Sequence, residues 1–275
     1  MIKEYLSAPL PFVGQKRMFA REFKKVLGQI HGAEVFVDLF GGSGLLSHIT
    51  KQHFPEAEVI YNDFDNYTNR IAHIDRTNEL LRQLRAILSP VPRLKIIPPD
   101  LKAEIIELLA AEEERTGFVD YITLSTSLLF AMKYATSLDD MRRQTMYNRV
   151  RRSDYKADGY LDGIVTESCD YRQLFDRYKD RDDVVFLIDP PYLSTEVGTY
   201  DMYWKLSDYL DVLKVLVGHR YVYFTSDKSS IIELCDWLGK NKAIGNPFVG
   251  AKRKEFRASM NYNAHYTDIM LYNVA

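Results

Sequence analysis

Apolar and polar positions follow two different periods along the chain. Short apolar runs rich in β-branched and aromatic residues predict buried strands at 33–40, 57–66, 184–188, 219–227 and 266–274. Longer segments with apolar residues three or four positions apart predict helices at 18–30, 77–88, 101–115 and 119–134. Thr77 or Asn78 is the expected N-cap of the second helix.

Strands and helices alternate at both ends of the chain, and a purely helical block separates the two ends. Alternation predicts a parallel sheet with helices on both faces. The helical block carries apolar faces of its own, so we expect an inserted subdomain rather than a linker. The prediction is an α/β, Rossmann-like sheet built from 1–69 and 165–275, with a helical insert at 70–164.

Bulk composition excludes several classes of protein. The 275 residues carry a net charge of −2, so any nucleic-acid site must be a local patch. Cys169 and Cys235 have no zinc or disulfide spacing, and the six histidines have no metal spacing, so we expect no metal. No leader and no membrane-length apolar run is evident. We expect a soluble, cytoplasmic protein that has no membrane partner and is a monomer.

A glycine-rich turn, "VDLFGGSG", joins the first predicted strand to a helix. Phe40, Gly42 and Gly44 give F-x-G-x-G, which lacks the third glycine of a dinucleotide fingerprint. Such a turn brings a ligand close to the backbone and to free N–H groups, although it also serves as a plain tight turn. Asp63 ends the second strand, where a carboxylate can accept both ribose hydroxyls; Asp65 is the competing candidate.

The third predicted strand runs directly into "IDPPY". Pro190 and Pro191 lack N–H groups and fix the backbone, so the Asp189 carboxylate and the Pro190 carbonyl form a rigid pair of acceptors. Two acceptors suit the two N–H donors of one amine, and Tyr192 can stack on a planar base. This arrangement favours methylation of an aromatic amine, in which positioning and electrostatics carry the step.

In that order, "FVDLFGGSG", "YNDFD" and "IDPPY" resemble motifs I, II and IV of the S-adenosylmethionine-dependent DNA amino-methyltransferases. The N-terminal "PFVGQKR" is similar to motif X of the Dam-type, alpha-group N6-adenine methylases. The resemblance implies a class I methyltransferase sheet, S-adenosyl-L-methionine as cofactor and double-stranded DNA as partner. Two positions depart from the family pattern: Gln15 replaces a motif X glycine, and Asp227 replaces an asparagine.

The resemblance also assigns residues. Catalysis would fall to Asp189, Pro190 and Tyr192. Cofactor binding would fall to Phe12, Lys16, Asp38, Phe40, Gly42, Gly44, Asp63, Asp170 and Asp189, with Asp170 placed by a short acidic motif in "TESCDY".

Two basic stretches are candidates for DNA contact. The segment 141–156 has six basic residues and one acid, and the segment 251–263 forms a second basic loop before the last strand. Arginines clamp phosphates and read guanine, whereas an isolated charge run is often only a solvated helix face. The DNA-binding candidates are Arg142, Arg143, Arg149, Arg151, Arg152, Lys252 and Arg253.

The sequence favours a site-specific N6-adenine DNA methyltransferase acting on an extruded base. Three alternatives stay open. The same acceptor pair suits cytosine N4 in DNA, and a related motif pair occurs in guanine N2 methyltransferases of RNA. A non-catalytic DNA-binding relative is the third alternative.

Overall fold

The structure is a computed structural model that describes residues 4–191, 206–227, 229–240, 246–261 and 264–274. The chain divides into two compact units. The larger unit comprises Met1–Ser7, Gln15–Asp65 and Gly159–Ala275, and the smaller unit comprises Ala8–Gly14 and Asn66–Asp158.

In the larger unit one sheet contains seven strands among the described residues, and their order is β3-β2-β1-β4-β5-β7-β6. The strands are β1 (Val35–Asp38), β2 (Glu58–Asn62), β3 (Val165–Glu167), β4 (Val184–Ile188), β5 (Arg220–Ser226), β6 (Lys252–Asn261) and β7 (Ala264–Asn273). The first five strands run parallel, and β7 lies antiparallel to both β5 and β6. The predicted α/β, Rossmann-like sheet is confirmed.

The helices of the larger unit are α1 (Ala20–Leu27), α2 (Leu45–His53), α8 (Tyr171–Tyr178), α9 (Leu206–Leu216) and α10 (Ile231–Lys240). The smaller unit contains α3 (Tyr67–Ala72), α4 (Ile74–Ile87), α5 (Pro99–Thr116), α6 (Tyr121–Leu128) and α7 (Leu138–Arg143). None of these helices combines the length and the apolar character needed to cross a membrane.

The central strands are buried on both faces, which explains their unbroken apolar sequence. Every residue of β1 and β4 is buried, as is typical of inner strands in a parallel sheet. Phe19 precedes α1 and packs edge-on against Phe224 of β5 and Phe256 of β6, with ring centroids 5.2 and 4.7 Å apart. Aromatic packing therefore helps to fix α1 against the sheet.

The register brings acids from several strands to one edge of the sheet. Asp38 is level with Leu187, so Asp189 follows one residue beyond the paired end of β4. Since β7 runs in the opposite direction, its beginning lies at the same edge, where Asp268 pairs with Ser226. Ligands of open parallel sheets bind at this carboxyl edge.

A buried ion pair organises the smaller unit. The Arg70 guanidinium donates to the Asp120 carboxylate over 3.1 Å, to the Thr123 hydroxyl over 3.1 Å and to the Pro11 carbonyl over 2.7 Å. The Tyr67 hydroxyl also donates to the Leu10 carbonyl, over 3.1 Å. These bonds attach the segment 8–14 to the helices of this unit.

Two helix predictions need correction. Helix α4 begins at Ile74 with His73 as its N-cap, so Thr77 and Asn78 are not capping residues. Ile74 is buried and extends the apolar face upstream, and the Asn78 side chain instead bonds the backbone of Tyr155.

The helix predicted at 119–134 ends at Leu128. The next residue, Leu129, is extended, with φ −111° and ψ 165°. The carbonyls of Ser127 and Leu128 accept hydrogen bonds from the N–H groups of Arg149 and Tyr147, over 3.0 and 2.8 Å. Long-range backbone bonds therefore replace the next helical turn.

Strand prediction erred in two places. The sequence does not predict β3, because this strand has only three residues and none of them is buried, so no alternation of buried and exposed positions marks it. The basic segment 251–263 is largely not a loop, since Lys252–Asn261 forms β6, although its antiparallel pairing with β7 agrees with the hairpin that the segment also suggested.

Candidate active site

Lys16 and Asp189 form an ion pair at the carboxyl edge of the sheet. The Lys16 Nζ lies 2.6 Å from Asp189 Oδ2, and the two side chains are 9% and 18% exposed. A strongly shielded ion pair stabilises only when both charges are kept, since removing one partner leaves the other uncompensated. The sequence predicted each residue for the site, and the structure joins them directly.

Asp189 is in an environment that opposes its ionisation. Burial raises the pKa of the Asp189 carboxyl, the Lys16 ammonium lowers it through charge and a hydrogen bond, and the negative charge of Asp268 raises it further. The net direction is upward. A carboxylate with a raised pKa accepts a proton more readily than one in water, and Lys16 limits this effect.

Asp38 is a second buried acid at the same edge. Its Oδ2 accepts a hydrogen bond of 2.7 Å from the Ser47 hydroxyl, whereas Oδ1 has no partner among the described residues. Burial raises the pKa of Asp38 to about 7, and the Asp189 charge contributes in the same direction. A buried acceptor without a partner is costly unless a ligand supplies the donor.

Tyr61 of β2 supports the glycine turn from below. A Cβ at Gly41 would lie 2.2 Å from two carbons of the Tyr61 ring, so only glycine fits there. The N-cap of α2, Gly44, has φ +71°, which also favours glycine. The Tyr61 ring and the glycine turn therefore pack closely against each other.

The Tyr61 hydroxyl lies between two acceptors, the Gly42 carbonyl at 2.6 Å and Asp63 Oδ1 at 2.9 Å. Burial, followed by the charge of Asp63, raises the pKa of Tyr61, so its proton is retained. A phenol has one proton to donate, so the two acceptors share it.

Asn62 ties three strand ends together. Its amide nitrogen donates to the Leu39 and Cys169 carbonyls, each over 3.0 Å, and its oxygen accepts from the Cys169 N–H over 3.1 Å. These bonds connect the segments that follow β1 and β3 to the end of β2. Asn62 therefore positions both the glycine turn and the segment that precedes Asp170.

The other predicted cofactor residues have varied environments. Phe40 is half-buried, and its ring packs on Tyr171 with centroids 4.8 Å apart. Asp63 is 3% exposed, whereas Asp65 is exposed. Asp170 caps α8 by accepting from the Arg172 N–H over 2.8 Å, so its carboxylate also has a structural task.

Phe12 lies in the segment "PFVGQKR", and Pro190 and Tyr192 lie in "IDPPY". Phe12 belongs to the smaller unit, where its ring packs edge-on against Tyr67 at 5.7 Å. Pro190 is buried and Tyr192 lies outside the described residues. The departure at Asp227 has a clear structural role, because its carboxylate accepts from the Thr267 N–H over 2.8 Å.

The predicted DNA-binding residues separate into groups. Arg142 and Arg143 pair with Asp139 and Asp140 on α7, which offsets their charge. Arg149, Arg151 and Arg152 line a concave surface of the smaller unit. Lys252 and Arg253 are exposed on β6, where Arg253 pairs with Glu255.

Sequence reasoning missed Tyr61, Asn62 and Asp268. The first two precede Asp63 in "YNDFD", and only their contacts reveal their function. Asp268 interrupts the apolar pattern of "DIMLY", and this interruption is a usable signal. The charge of Asp189 acts on Asp38, and the charge of Asp268 acts on Asp189, so the acids at this edge create a negative region suited to a cationic ligand.

A Haemophilus influenzae protein named "Putative methyltransferase" is 38% identical over 280 aligned residues, which cover 98% of this chain and 93% of that protein. A structure of precorrin-6y C5,15-methyltransferase from Geobacter metallireducens GS-15 aligns over 94% of this chain and 89% of its own, at 8% identity and a TM-score of 0.36. That structural likeness is too slight to support an argument. No protein-family model matches the chain.

Replacing Gly41 by alanine should destabilise the larger unit, because the added Cβ would overlap the Tyr61 ring. Overpacking of this kind costs about 1–3 kcal/mol. Gly28→Ala is the matched control, since its Cβ would meet nothing closer than 3.6 Å. Chemical denaturation should show the loss in Gly41→Ala alone, and equal stability of the two variants would contradict the described packing.

The Asp38→Asn variant should differ from the wild type in a pH-dependent way. The pKa of Asp38 is raised in the folded protein, so the fold favours the neutral carboxyl. Its contribution to stability is therefore complete below the ordinary pKa of an aspartate and is lost as the pH rises to about 7. The variant should therefore gain stability relative to wild type between pH 4 and pH 7, by at most about 4 kcal/mol. Urea denaturation of both proteins across this range measures the difference, and a constant difference would refute the buried-acid description.

Proposed function

The chain belongs to a methyltransferase family, that of its Haemophilus influenzae relative, and from this premise we propose that it methylates the N6 amine of adenine in double-stranded DNA. The proposed methyl donor is S-adenosyl-L-methionine. The observation that carries the proposal is Asp189, which follows β4, pairs with Lys16 and precedes two prolines.

The residues at the sheet edge fit this donor. S-adenosylmethionine supplies a methyl group on a positively charged sulfur and also carries an ammonium group, a carboxylate and a ribose. The unpartnered Oδ1 of Asp38 can accept from the ammonium group, and Asp63 can accept from the ribose hydroxyls. The negative region formed with Asp189 and Asp268 favours a cation over a neutral ligand.

Asp189 and Pro190 hold the target amine in this proposal. The Asp189 carboxylate and the Pro190 carbonyl each accept one N–H of the exocyclic amine, which directs the nitrogen lone pair toward the methyl group. The nitrogen–carbon bond would form as the sulfur–methyl bond breaks, which would leave the donor as a neutral thioether, and the nitrogen would release one proton to the Asp189 carboxylate. The raised pKa of Asp189 favours this acceptance, and Lys16 keeps the acid ionised beforehand.

The smaller unit is the proposed DNA-recognition domain. Its arginines provide a local basic surface in a chain whose net charge is −2. A base inside a duplex must leave the stack before its amine reaches a buried acceptor, at a cost of a few kcal/mol. Contacts with the DNA backbone have to offset this cost.

Substrate class and reaction can be tested together. The protein should transfer labelled methyl groups to duplex DNA, and nucleoside digestion should yield N6-methyladenine. Asp189→Ala should lower the rate at least 100-fold, because both the amine contact and the proton acceptor are lost. Unchanged far-ultraviolet circular dichroism at the assay temperature would show that the variant is folded.

Duplexes without adenine and a structured RNA serve as comparison substrates. Label on cytosine N4, or on guanine N2 in RNA, would replace the proposed substrate with one of the alternative amines. Binding of duplex without transfer to any substrate would identify a non-catalytic relative. Full activity in Asp189→Ala would refute the assigned role of this residue.

Cofactor binding should release protons near neutral pH. Asp38 has a pKa of about 7, and a bound ammonium group beside it would lower that pKa, so the protonated fraction would dissociate. Isothermal titration calorimetry at pH 6.5 in buffers of different ionisation enthalpy should give a buffer-dependent heat. The heat should become independent of buffer in Asp38→Asn, and buffer-independent heat in the wild type would contradict this role of Asp38.

A further inference from the structure

Three segments of the smaller unit are held side by side by backbone hydrogen bonds. The N–H of Leu94 donates to the Asn148 carbonyl over 2.7 Å, and that of Asn148 donates to the Lys95 carbonyl over 2.9 Å. On the other side, the N–H of Tyr147 donates to the Leu128 carbonyl over 2.8 Å. The middle segment therefore fixes the other two, although none of them forms a long strand.

Large apolar side chains are exposed on these segments. Leu94, Ile96, Phe130 and Met132 are 63%, 60%, 62% and 73% exposed, and the Phe130 ring lies 5.8 Å from that of Tyr147. We call these five residues the apolar cluster. Single exposed apolar residues are ordinary, but a group of them on fixed segments is typical of a binding surface.

Backbone strain occurs in the same cluster. Leu94 and Met132 have φ of +66° and +67°, a region that residues with a Cβ rarely occupy. Among the described non-glycine residues, only Asn66 shares this feature. Surrounding hydrogen bonds hold these exposed apolar residues in a strained conformation. Such strain at an exposed site indicates a functional role rather than a packing role.

An arginine-lined concavity involves the same segments. Its volume is about 620 Å³, and its lining residues are Arg93, Thr126, Ser127, Arg149, Arg151, Arg152, Ser153 and Tyr155. None of these lining residues is acidic. Arg93 precedes Leu94 of the apolar cluster directly, and Arg149 is two residues from Tyr147.

The arginines of the concavity are oriented by neutral groups. Arg93 donates to the Val150 carbonyl over 2.9 Å, and Arg149 donates to the Leu129 carbonyl over 3.2 Å. Arg151 lies over the Tyr155 ring at 4.2 Å and bonds Ser153. These partners position the guanidinium groups without neutralising them, in contrast to the acid-paired Arg142 and Arg143.

We propose that the arginine concavity binds a phosphodiester of duplex DNA while Phe130 and Met132 of the apolar cluster insert against the base stack. The inference rests on the proposed function and assigns the residues that open the duplex. Guanidinium groups match phosphate oxygens in pairs, which favours a phosphate ligand. Apolar side chains next to such contacts are the wedges with which proteins unstack a base step.

Charge complementarity decides among the possible occupants. Four arginines without an acidic lining residue favour a polyanion over a second copy of this chain, whose net charge is only −2. The stacking geometry of a duplex also suits a ring and a thioether held at fixed positions. An anionic membrane and a second copy are therefore outcomes of the test rather than parts of the proposal.

The phosphate contact is tested by fluorescence anisotropy with labelled duplex over a series of salt concentrations. Arg149→Lys/Arg152→Gln should weaken binding at least tenfold and reduce the salt slope by about one unit, since one charge and one bidentate contact are lost. Arg82→Gln is the matched control, because it removes one arginine of α4 that pairs with Glu79. The control should bind as the wild type does. Equal affinity and an equal salt slope in the double variant would overturn the phosphate site.

The wedge is tested with 2-aminopurine at the target adenine, whose fluorescence rises on unstacking. Phe130→Ala/Met132→Ala should lower this rise at least fivefold while changing duplex affinity less than the arginine variant does. Val217→Ala, which trims an exposed apolar residue of the larger unit, should leave the signal unchanged. Thermal denaturation and cofactor affinity establish that each variant is folded.

Some results would separate this inference from the proposed function. N6-adenine methylation with unaltered affinity, salt slope and fluorescence in all the variants would overturn the inference alone. Duplex binding and unstacking through these residues without methyl transfer would support the inference while the proposed reaction fails. If the variants instead lost self-association while they kept duplex binding, the surface would belong to a second copy, and the inference would be overturned. If they lost binding to phosphatidylserine vesicles while they kept duplex binding, the surface would belong to a membrane, with the same consequence.

Discussion

The arrangement of the site depends on the collection of carboxylates at one edge of a sheet, where Lys16 pairs with one of them. Parallel strands end at the same edge, so Asp38 and Asp189 meet there, and the reversed β7 adds Asp268. Burial raises the pKa of both Asp38 and Asp189, and each also feels another acid. Lys16 offsets part of this repulsion. The site thus keeps an excess of negative charge, which a cationic ligand would neutralise.

A rigid neutral frame surrounds these charges. The Tyr61 ring supports the glycine turn, and Asn62 joins the segments that follow β1 and β3 to the end of β2. Neither residue carries a charge or a reactive group. Their contribution is to hold Asp63 and the glycine turn at fixed positions, which reduces the ordering needed when a ligand binds.

Much of the fold was predictable because its signals are local. Unbroken apolar runs predicted the central strands, and "IDPPY" placed Asp189 at a strand end. The errors arose where distant groups decide the local structure. Helix α6 stops at Leu128 because residues 147–149 take its carbonyls, and β3 exists only as a short partner of β2. The predicted site residues were largely those with charge or glycine signatures, whereas Tyr61 and Asn62 act through contacts that a sequence does not display.

The Tyr61 hydroxyl has a consequence for how occupancy is communicated within the site. One phenolic proton serves both the Gly42 carbonyl and Asp63. A sugar hydroxyl that donates to Asp63 makes that carboxylate a weaker acceptor for the phenol, which favours the bond from the phenol to the carbonyl of the turn. Ligation at the second strand would then tighten the loop after the first strand through the relocation of one hydrogen atom, without movement of the backbone.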